Sequence, residues 1–490
     1  MAYHISPAPE LPRATCALKF AIAGGGIAGL AAACALKLAG HDVVGVVERS
    51  DGTFQSRGGI QSTPGMTRTL LRWGFAPELQ QHAHKCGVLV FRNGLSDDLI
   101  GRLKIDQDFL GDILTEFLFI QHQDLHNILR ARLDAEGVPL LYNTSVDDVT
   151  ISAEGATLAL STGQTLDADI VIAADGWNSA LRERVVPDAP ALQVVTEEQV
   201  TAPASPEHVL HLMFTVPTEK LAEDAELRFL TNRALWPMWM GQGFAINMNI
   251  TTDGTALTAT LTYDWDGEIL AEDEEYVERP LAYFQLDLEK FCPTLCRLLS
   301  IVDTVSARVV TNRPVAEDVV CADSRIVLAG DAAHPLLPAR PSLAIEDAET
   351  LRAIFARMTK PAERPRFLNA YEELRQPYCE GVVAYDRAFH QLVRTEPGAS
   401  MDERDEMLRA SMAHGGWEHI DEAAFRAGWE TELRMYTFDA MEHVDSHWTH
   451  WGRYMKGEAG VVKRGKRRGA SQQFFSGFTK SFTRLPPTYS

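Results

Sequence analysis

The run Phe20-Ala21-Ile22-Ala23-Gly24-Gly25-Gly26-Ile27-Ala28-Gly29-Leu30 constrains this chain more than any other feature. Gly24, Gly26 and Gly29 have the G-x-G-x-x-G spacing. The first glycine permits a tight turn, the second lets a pyrophosphate approach the backbone, and the third lets helix and strand pack closely. Glycine-rich turns are common, so the context decides. Residues 17–23 read as a short buried strand, 30–38 as an Ala/Leu helix and 43–47 as a second strand. The N–H groups of Ile27, Ala28 and Gly29 open that helix and point at whatever anion lies before it. Glu48 follows the second strand, 19 residues after Gly29. A carboxylate there accepts from ribose hydroxyls and repels the extra phosphate of NADP. The unit predicts a dinucleotide site.

Two later segments choose between FAD and NAD. One is Ala173-Ala174-Asp175-Gly176-Trp177-Asn178-Ser179-Ala180-Leu181-Arg182, and the other is Val327-Leu328-Ala329-Gly330-Asp331-Ala332-Ala333-His334-Pro335; each follows a buried-strand pattern. The glycine turn, D-G-x-x-S-x-x-R (Asp175, Gly176, Ser179, Arg182) and G-D-A-A-H-P occur in this order. With them the chain resembles a group A flavoprotein monooxygenase of the para-hydroxybenzoate hydroxylase superfamily, most like its fungal salicylate hydroxylase-like branch. The resemblance runs from about residue 18 to 390 and more weakly to about 445.

The resemblance implies roles. Asp331 is expected to hydrogen-bond the ribityl chain of FAD. The segment from Asp175 to Arg182 is expected near the pyrophosphate, with contacts to FAD and NAD(P)H. Gly58-Gly59-Ile60-Gln61 resembles the family's G-A-G-I-Q segment beside the flavin, which places Gly59 and Ile60 there. Trp236-Pro237, followed by Gly241, resembles the segment where the substrate sheet passes over the isoalloxazine, and Arg313-Pro314 resembles the pair before the last flavin strand.

Two departures stand out. His122 occupies the place of a family arginine just before the helix of residues 124–133, and is a weaker, titratable donor. After G-D-A-A-H-P the family reads P-x-x-x-Q-G-x-x-x-A-I-E-D-A. Here Leu336-Leu337-Pro338-Ala339-Arg340-Pro341 leads straight to Ser342-Leu343-Ala344-Ile345-Glu346-Asp347-Ala348, about three residues short. The family loop supplies donors at the flavin N1–C2=O edge, the place expected of Ser342 and Leu343. Pro341 has no N–H to give. The shortening predicts weaker flavin binding or slower reduction.

The fold class expected is α/β: a Rossmann-type FAD-binding domain interleaved with an antiparallel-sheet substrate domain, plus C-terminal helices. The expected division is a flexible arm at 1–16, a discontinuous FAD-binding domain at 17–85, 112–190 and 310–360, and a substrate domain at 86–111 and 191–309. A helical region at 361–455 and a disordered basic tail at 456–490 follow. Residues 281–300 read as helical and 345–358 as a helix.

Composition narrows the partners. The net charge of −21 disfavours nucleic acid and anionic membranes and favours a small-molecule partner. Seven scattered cysteines read as reduced thiols rather than a disulfide or metal set, so no metal is expected. The apolar stretch 17–40 is interrupted by Lys19, Lys37 and its glycines, so no membrane span is expected and the protein reads as soluble and cytoplasmic.

The implied reaction uses NADH or NADPH as a transient co-substrate to reduce FAD, and O₂ to oxygenate an aromatic or otherwise electron-rich small molecule. No acid or base is assigned. His211, Arg228 and Arg233 lie in the expected substrate sheet, but surface charge is the plainer account of each. A second reading is a flavin-poor homologue with a binding or non-redox role, resting on the shortened loop alone. A flavin halogenase is disfavoured, because the W-x-W-x-I-P motif is missing.

Overall fold

The computed structural model describes residues 11–53, 58–105, 115–187, 208–267, 276–311, 313–336, 340–395, 398–411 and 430–451. The shortened loop at 337–339 and the basic tail fall outside them.

Five short strands form an all-parallel sheet in the order Ile326–Leu328, Ile170–Ala173, Lys19–Ala23, Asp42–Val47, Leu140–Leu141. Their near-continuous apolar runs are what a sheet covered on both faces requires. Helix Ile27–Leu38 crosses between the two central strands, and helices His122–Ala135 and Pro341–Phe355 pack against it. The apolar core of this unit includes Phe20, Ile22, Leu129, Ile172, Leu328 and Ile354. A three-stranded antiparallel sheet (Val146–Ile151, Ala156–Leu160, Thr165–Ala168) is appended to it.

The second layer is an eight-stranded sheet in the order Val277–Pro280, Thr304–Thr311, His208–Pro217, Ala256–Trp265, Phe244–Ile250, Leu235–Gly241, Val88–Asn93, Leu99–Lys104. All its pairings are antiparallel except that of Leu235–Gly241 with Val88–Asn93. Strand alternation separates its faces. Leu210, Leu212, Phe214, Ile246, Leu257, Leu261 and Ala307 enter one apolar core with helix Pro293–Ser300. The alternate residues His211, Met213, Asn247, Asn249, Thr258, Thr260, Thr262, Ser306 and Arg308 share the opposite, largely polar face.

Three expectations shift. The stretch 281–300 is two short 3₁₀ turns followed by a helix only at Pro293–Ser300. The helix expected from 345 begins at Pro341 instead, because proline at the first helical position gives up an N–H that has no partner there anyway. The arm expected to be loose to residue 16 is already tied at Ala14, whose N–H donates to Ala39 O, and at Thr15, whose N–H donates to Met358 O. At the C-terminus, helix Arg364–Val393 packs on Pro341–Phe355 and on strand Phe244–Ile250, Ala399–Ser411 on strand Leu99–Lys104, Glu430–Thr437 on helix Pro64–Arg72, and Ala440–Trp451 on Pro341–Phe355. All seven cysteines are free thiols. No helix among the described residues is long and apolar enough to cross a membrane.

Candidate active site

Three motif segments leave the same edge of the parallel sheet. Gly24 follows Lys19–Ala23, Asp175 follows Ile170–Ala173 and Gly330 follows Ile326–Leu328, on three adjacent strands. Ligands of open α/β sheets sit at this carboxyl edge. The segments interlock. A β-carbon built on Gly24 would lie 2.2 Å from Ala174 O, and Gly24 holds φ +104°, a conformation that only glycine takes freely. One built on Gly29 would lie 1.9 Å from Gly24 O, so helix and turn touch through backbone alone. Gly330, with φ +62°, packs its α-carbon against Ala28, where a β-carbon would meet that methyl at 2.6 Å.

Gly26 differs from these. A β-carbon there would meet nothing within 4 Å. The space lies at the N-terminus of helix Ile27–Leu38, which has no side-chain cap and no acid in its first turn. The amides of Ile27, Ala28 and Gly29 thus open toward an uncrowded, electropositive position. Beside it, Glu48 accepts hydrogen bonds from Gly25 N (2.7 Å) through Oε2 and from Ser50 N (2.8 Å) through Oε1. Each oxygen keeps a second lone pair for a hydroxyl. Gly25 therefore has its own reason to be glycine, since a β-carbon would lie 2.8 Å from the Glu48 side chain.

Asp175 and Arg182 work within the protein. Asp175 accepts from Ser179 Oγ (2.6 Å) and Leu181 N (3.2 Å), and burial raises its pKa. Arg182 donates to the carbonyls of Ala332 (2.7 Å), Ala333 (3.3 Å) and Pro314 (2.7 Å). Burial, then the charge of Arg313, lowers its pKa to about 10. The D-G-x-x-S-x-x-R segment is thus a clasp on the turn that carries Asp331.

Asp347 fixes the same turn from below. Its Oδ2 accepts from Gly330 N (2.9 Å) and pairs with His334 Nε2 (2.7 Å), while Oδ1 accepts from Arg375 Nε (2.7 Å). Burial alone would raise this carboxyl, yet the charges of His334 and Arg375 hold it at about 2. Asp331 itself keeps part of its surface exposed. Ser342 and Leu343 stand in the first turn of Pro341–Phe355, where Leu343 N is already engaged by Arg340 O at 3.0 Å.

The second layer meets this edge at Gly59, where a β-carbon would fall 2.3 Å from Asn249 Oδ1 on the polar face of the large sheet. Gly59 and Ile60 pair with Gln121 and Ile120 in a small sheet. His122 follows, its N–H donating to Gly58 O (3.1 Å), and burial with the neighbouring His126 lowers its pKa to about 3. His126, one helical turn on, shares a hydrogen bond with Gly25 O at 3.0 Å. Nothing marked His126 in advance beyond its four-residue spacing from His122.

Of the other sheet candidates, Arg228 and Arg233 are exposed and donate to Ala222 O and Thr252 O. His211 is buried on the polar face. Arg308, on the strand beside it, was not singled out. The alternation Ser306-Ala307-Arg308-Val309 on a strand was its only signal.

The residues fit a flavin dinucleotide. Besides the open cradle at Gly26, the buried Gln121 Nε2 and Trp236 Nε1 have no hydrogen-bond partner among the described residues. Both belong to strands bordering the Gly59 edge or the sheet above it. Buried donors left orphaned in a protein call for a ligand or water.

Known proteins agree. The sequence model of the FAD binding domain family matches residues 17–386. The FAD-dependent monooxygenase OpS4 of Beauveria bassiana is 25% identical over 436 residues, covering 88% of this chain and 97% of that protein. The 3-amino-4-hydroxybenzoate 2-monooxygenase PtmB3 of Streptomyces platensis is 26% identical over 422 residues, covering 84% and 96%. The crystal structure of FqzB superposes with a TM-score of 0.69 at 20% identity, covering 94% of this chain and 100% of that one, a likeness of fold. With its glycine cradle, its clasped Gly-Asp turn and these relatives, the chain belongs to the FAD binding domain family and is an FAD-dependent group A monooxygenase of the para-hydroxybenzoate hydroxylase superfamily.

Proposed function

We propose that this enzyme hydroxylates a small aromatic molecule, with O₂ as co-substrate and NADH or NADPH as a transient electron donor. The observation that carries the reading is the contact of Gly59 with Asn249, which sets the polar face of the large sheet over the cofactor edge. The Streptomyces relative is named for an aminohydroxybenzoate, which supports an aromatic substrate. The flavin-poor reading keeps only the shortened loop. Seven free thiols suit a reducing compartment such as the cytoplasm.

When bound, FAD supplies the redox chemistry and the activation of oxygen. The chain's own residues bind and orient. The amides at Gly26, Ile27, Ala28 and Gly29 hold the pyrophosphate, with Gly24 shaping the turn. Glu48 takes the ribose hydroxyls and Asp331 the ribityl chain. Gly59 and Ile60 line the ring edge with His122, which stays neutral and offers a hydrogen bond without charge. Ser342, more than Leu343, supplies an amide at the helix N-terminus. Asp175 and Arg182 position the Asp331 turn. Residues 17–85, 112–190 and 310–360 house the cofactor, and 86–111 with 191–309 the substrate.

The test is direct. The purified protein should be yellow with a flavin spectrum. It should oxidise NADH or NADPH faster with particular phenols or hydroxybenzoates, and ¹⁸O from O₂ should appear in the product. A colourless protein that does not take up FAD would overturn the proposal.

A further inference from the structure

The polar face of the large sheet carries a group of side chains that cofactor binding leaves unused. Arg308 and His211 are direct partners across paired strands, both turned away from the apolar core. Arg308 is 9% exposed. Its guanidinium lies 5.2 Å from the ring centre of Trp177, within the D-G-x-x-S-x-x-R clasp, and 5.8 Å from that of Tyr276. Two rings thus hold the guanidinium in place without consuming its N–H donors. No carboxylate among the described residues pairs with it.

His211 is 3% exposed. Its Nδ1 shares a hydrogen bond with Tyr276 Oη at 3.0 Å, while Nε2 is buried with no partner among the described residues. Burial, then the charge of Arg308, lowers its pKa to about 4, so at neutral pH it is an uncharged ring with one polar atom unsatisfied.

The surroundings are cationic too. Arg313 donates to Trp177 O and Arg387 to Arg313 O, and neither meets a carboxylate among the described residues. His390, its pKa lowered to about 3 by burial and then by Arg394, Arg340 and His211, faces the same region. The carboxylates nearby are Glu278, opposite Ser306 on the same face, and Asp264 and Asp386, which are already paired with Arg394 and Arg340. A guanidinium withdrawn from water without a counter-ion is costly, and a bound anion would remove that cost.

We propose that Arg308 and His211 form a subsite for an oxyanion, either the carboxylate of the substrate or a phosphate of the nicotinamide donor. A guanidinium takes two oxygens side by side, and carboxylate and phosphate share that geometry. The His211 ring contributes one further donor. The subsite deepens the monooxygenase reading and rests on it for which ligands enter. Arg308 stands three strands and four residues from Asn249, roughly 20 Å by strand spacing and rise. It therefore grips the far end of a ligand rather than the atom that reacts.

The experiment is calorimetric titration of the full-length, FAD-loaded protein without turnover. The probes are benzoate and 4-phenylbutanoate, each against its amide, together with NAD⁺, which has no hydride to give, and inorganic pyrophosphate. The wild type should bind at least one class of anion, carboxylate or phosphate, and Arg308→Gln should weaken that class about tenfold or more. Amide affinity and FAD content should stay unchanged and Tm should not fall, Arg308→Lys should recover part of the loss, and His211→Gln should show a smaller one. Loss confined to the carboxylates assigns the subsite to substrate, and loss confined to NAD⁺ and pyrophosphate assigns it to the donor.

The proposal fails if Arg308→Gln binds every anion as the wild type does, or loses acid and amide alike. Should that variant not fold, the wild type still decides. Anion affinity that does not fall between about 0.05 and 0.5 M salt overturns the subsite. A colourless protein is a separate result, and bears on the monooxygenase reading instead.

Discussion

Asp347 is a buried carboxylate whose hydrogen bonds reach Gly330 N, His334 and Arg375. Removing its charge leaves Arg375 poorly compensated and frees the Asp331 turn. Asp347→Asn should cost about 3–5 kcal/mol of stability, read from chemical denaturation, and should weaken FAD binding, read by fluorescence titration. Gly29→Ala tests the opposite end of the site. Its methyl would sit 1.9 Å from Gly24 O, so the variant should fold with little or no FAD, and full FAD content would contradict the packing. Gly24, Gly26, Gly29 and Glu48 were legible because their chemistry is local, within one β-α-β unit. Asp347, His126 and Asn249 were not, because each acts on a turn brought to it by folding. His126 bonds a carbonyl 101 residues away in the chain.

Among the elements, strands and helices with clean periodicity were legible, including the strand at 43–47 and the helix at 124–133, which runs from His122 to Ala135. The stretch 281–300 was not, since Pro280 and Pro293 break it into turns that helical spacing of apolar residues does not reveal. The sheet of the substrate domain was readable as antiparallel, but the parallel pairing of Leu235–Gly241 with Val88–Asn93 joins segments far apart in the chain. The C-terminal helices are pinned by Asp439, which pairs with Arg72 at 2.6 Å and Arg68 at 3.1 Å on helix Pro64–Arg72. Gly65 of that helix meets Phe438 O, where a β-carbon would lie at 2.3 Å. Asp439→Ala should leave Arg68 without its carboxylate and Arg72 with Glu349 alone, at 3.1 Å, and so release residues 430–451, seen as earlier cleavage there in limited proteolysis. An unchanged cleavage pattern would show that apolar packing alone holds these helices.

For the molecule as a whole, buried histidines set the acid limit. His122 and His390 titrate at about 3 and His211 at about 4, each lowered first by burial, against an ordinary value of 6.5. The unfolded chain binds their protons before the folded chain does, so stability rises with pH through this window and is lost as pH falls below about 6.5 toward 3. Glu346 opposes this, since burial raises its carboxyl to about 7 and stability then declines as pH rises from 4.5 through 7. His84 and His443, also lowered by burial to about 4, add to these histidines, while Asp386, raised by burial to about 6, joins Glu346, so five histidines stand against two carboxyls. Tm should therefore begin to fall near pH 6, and His390→Gln should make the fall shallower. A flat Tm between pH 6.5 and 4.5 would refute this balance.

The strand order of the parallel sheet also bears on synthesis. Among the described residues, Ile326–Leu328 is the neighbour of Ile170–Ala173 on its outer side, and about 150 residues separate the two in the chain. At roughly 5–20 residues per second, a ribosome leaves that apolar edge unpaired for about 8–30 s while six of the eight strands of the large sheet are being made. The Asp331 turn and the helix beneath it emerge later still, so FAD arrives too late to shelter the nascent edge. Recombinant yield should thus respond to slower translation and to chaperones more than to flavin supply.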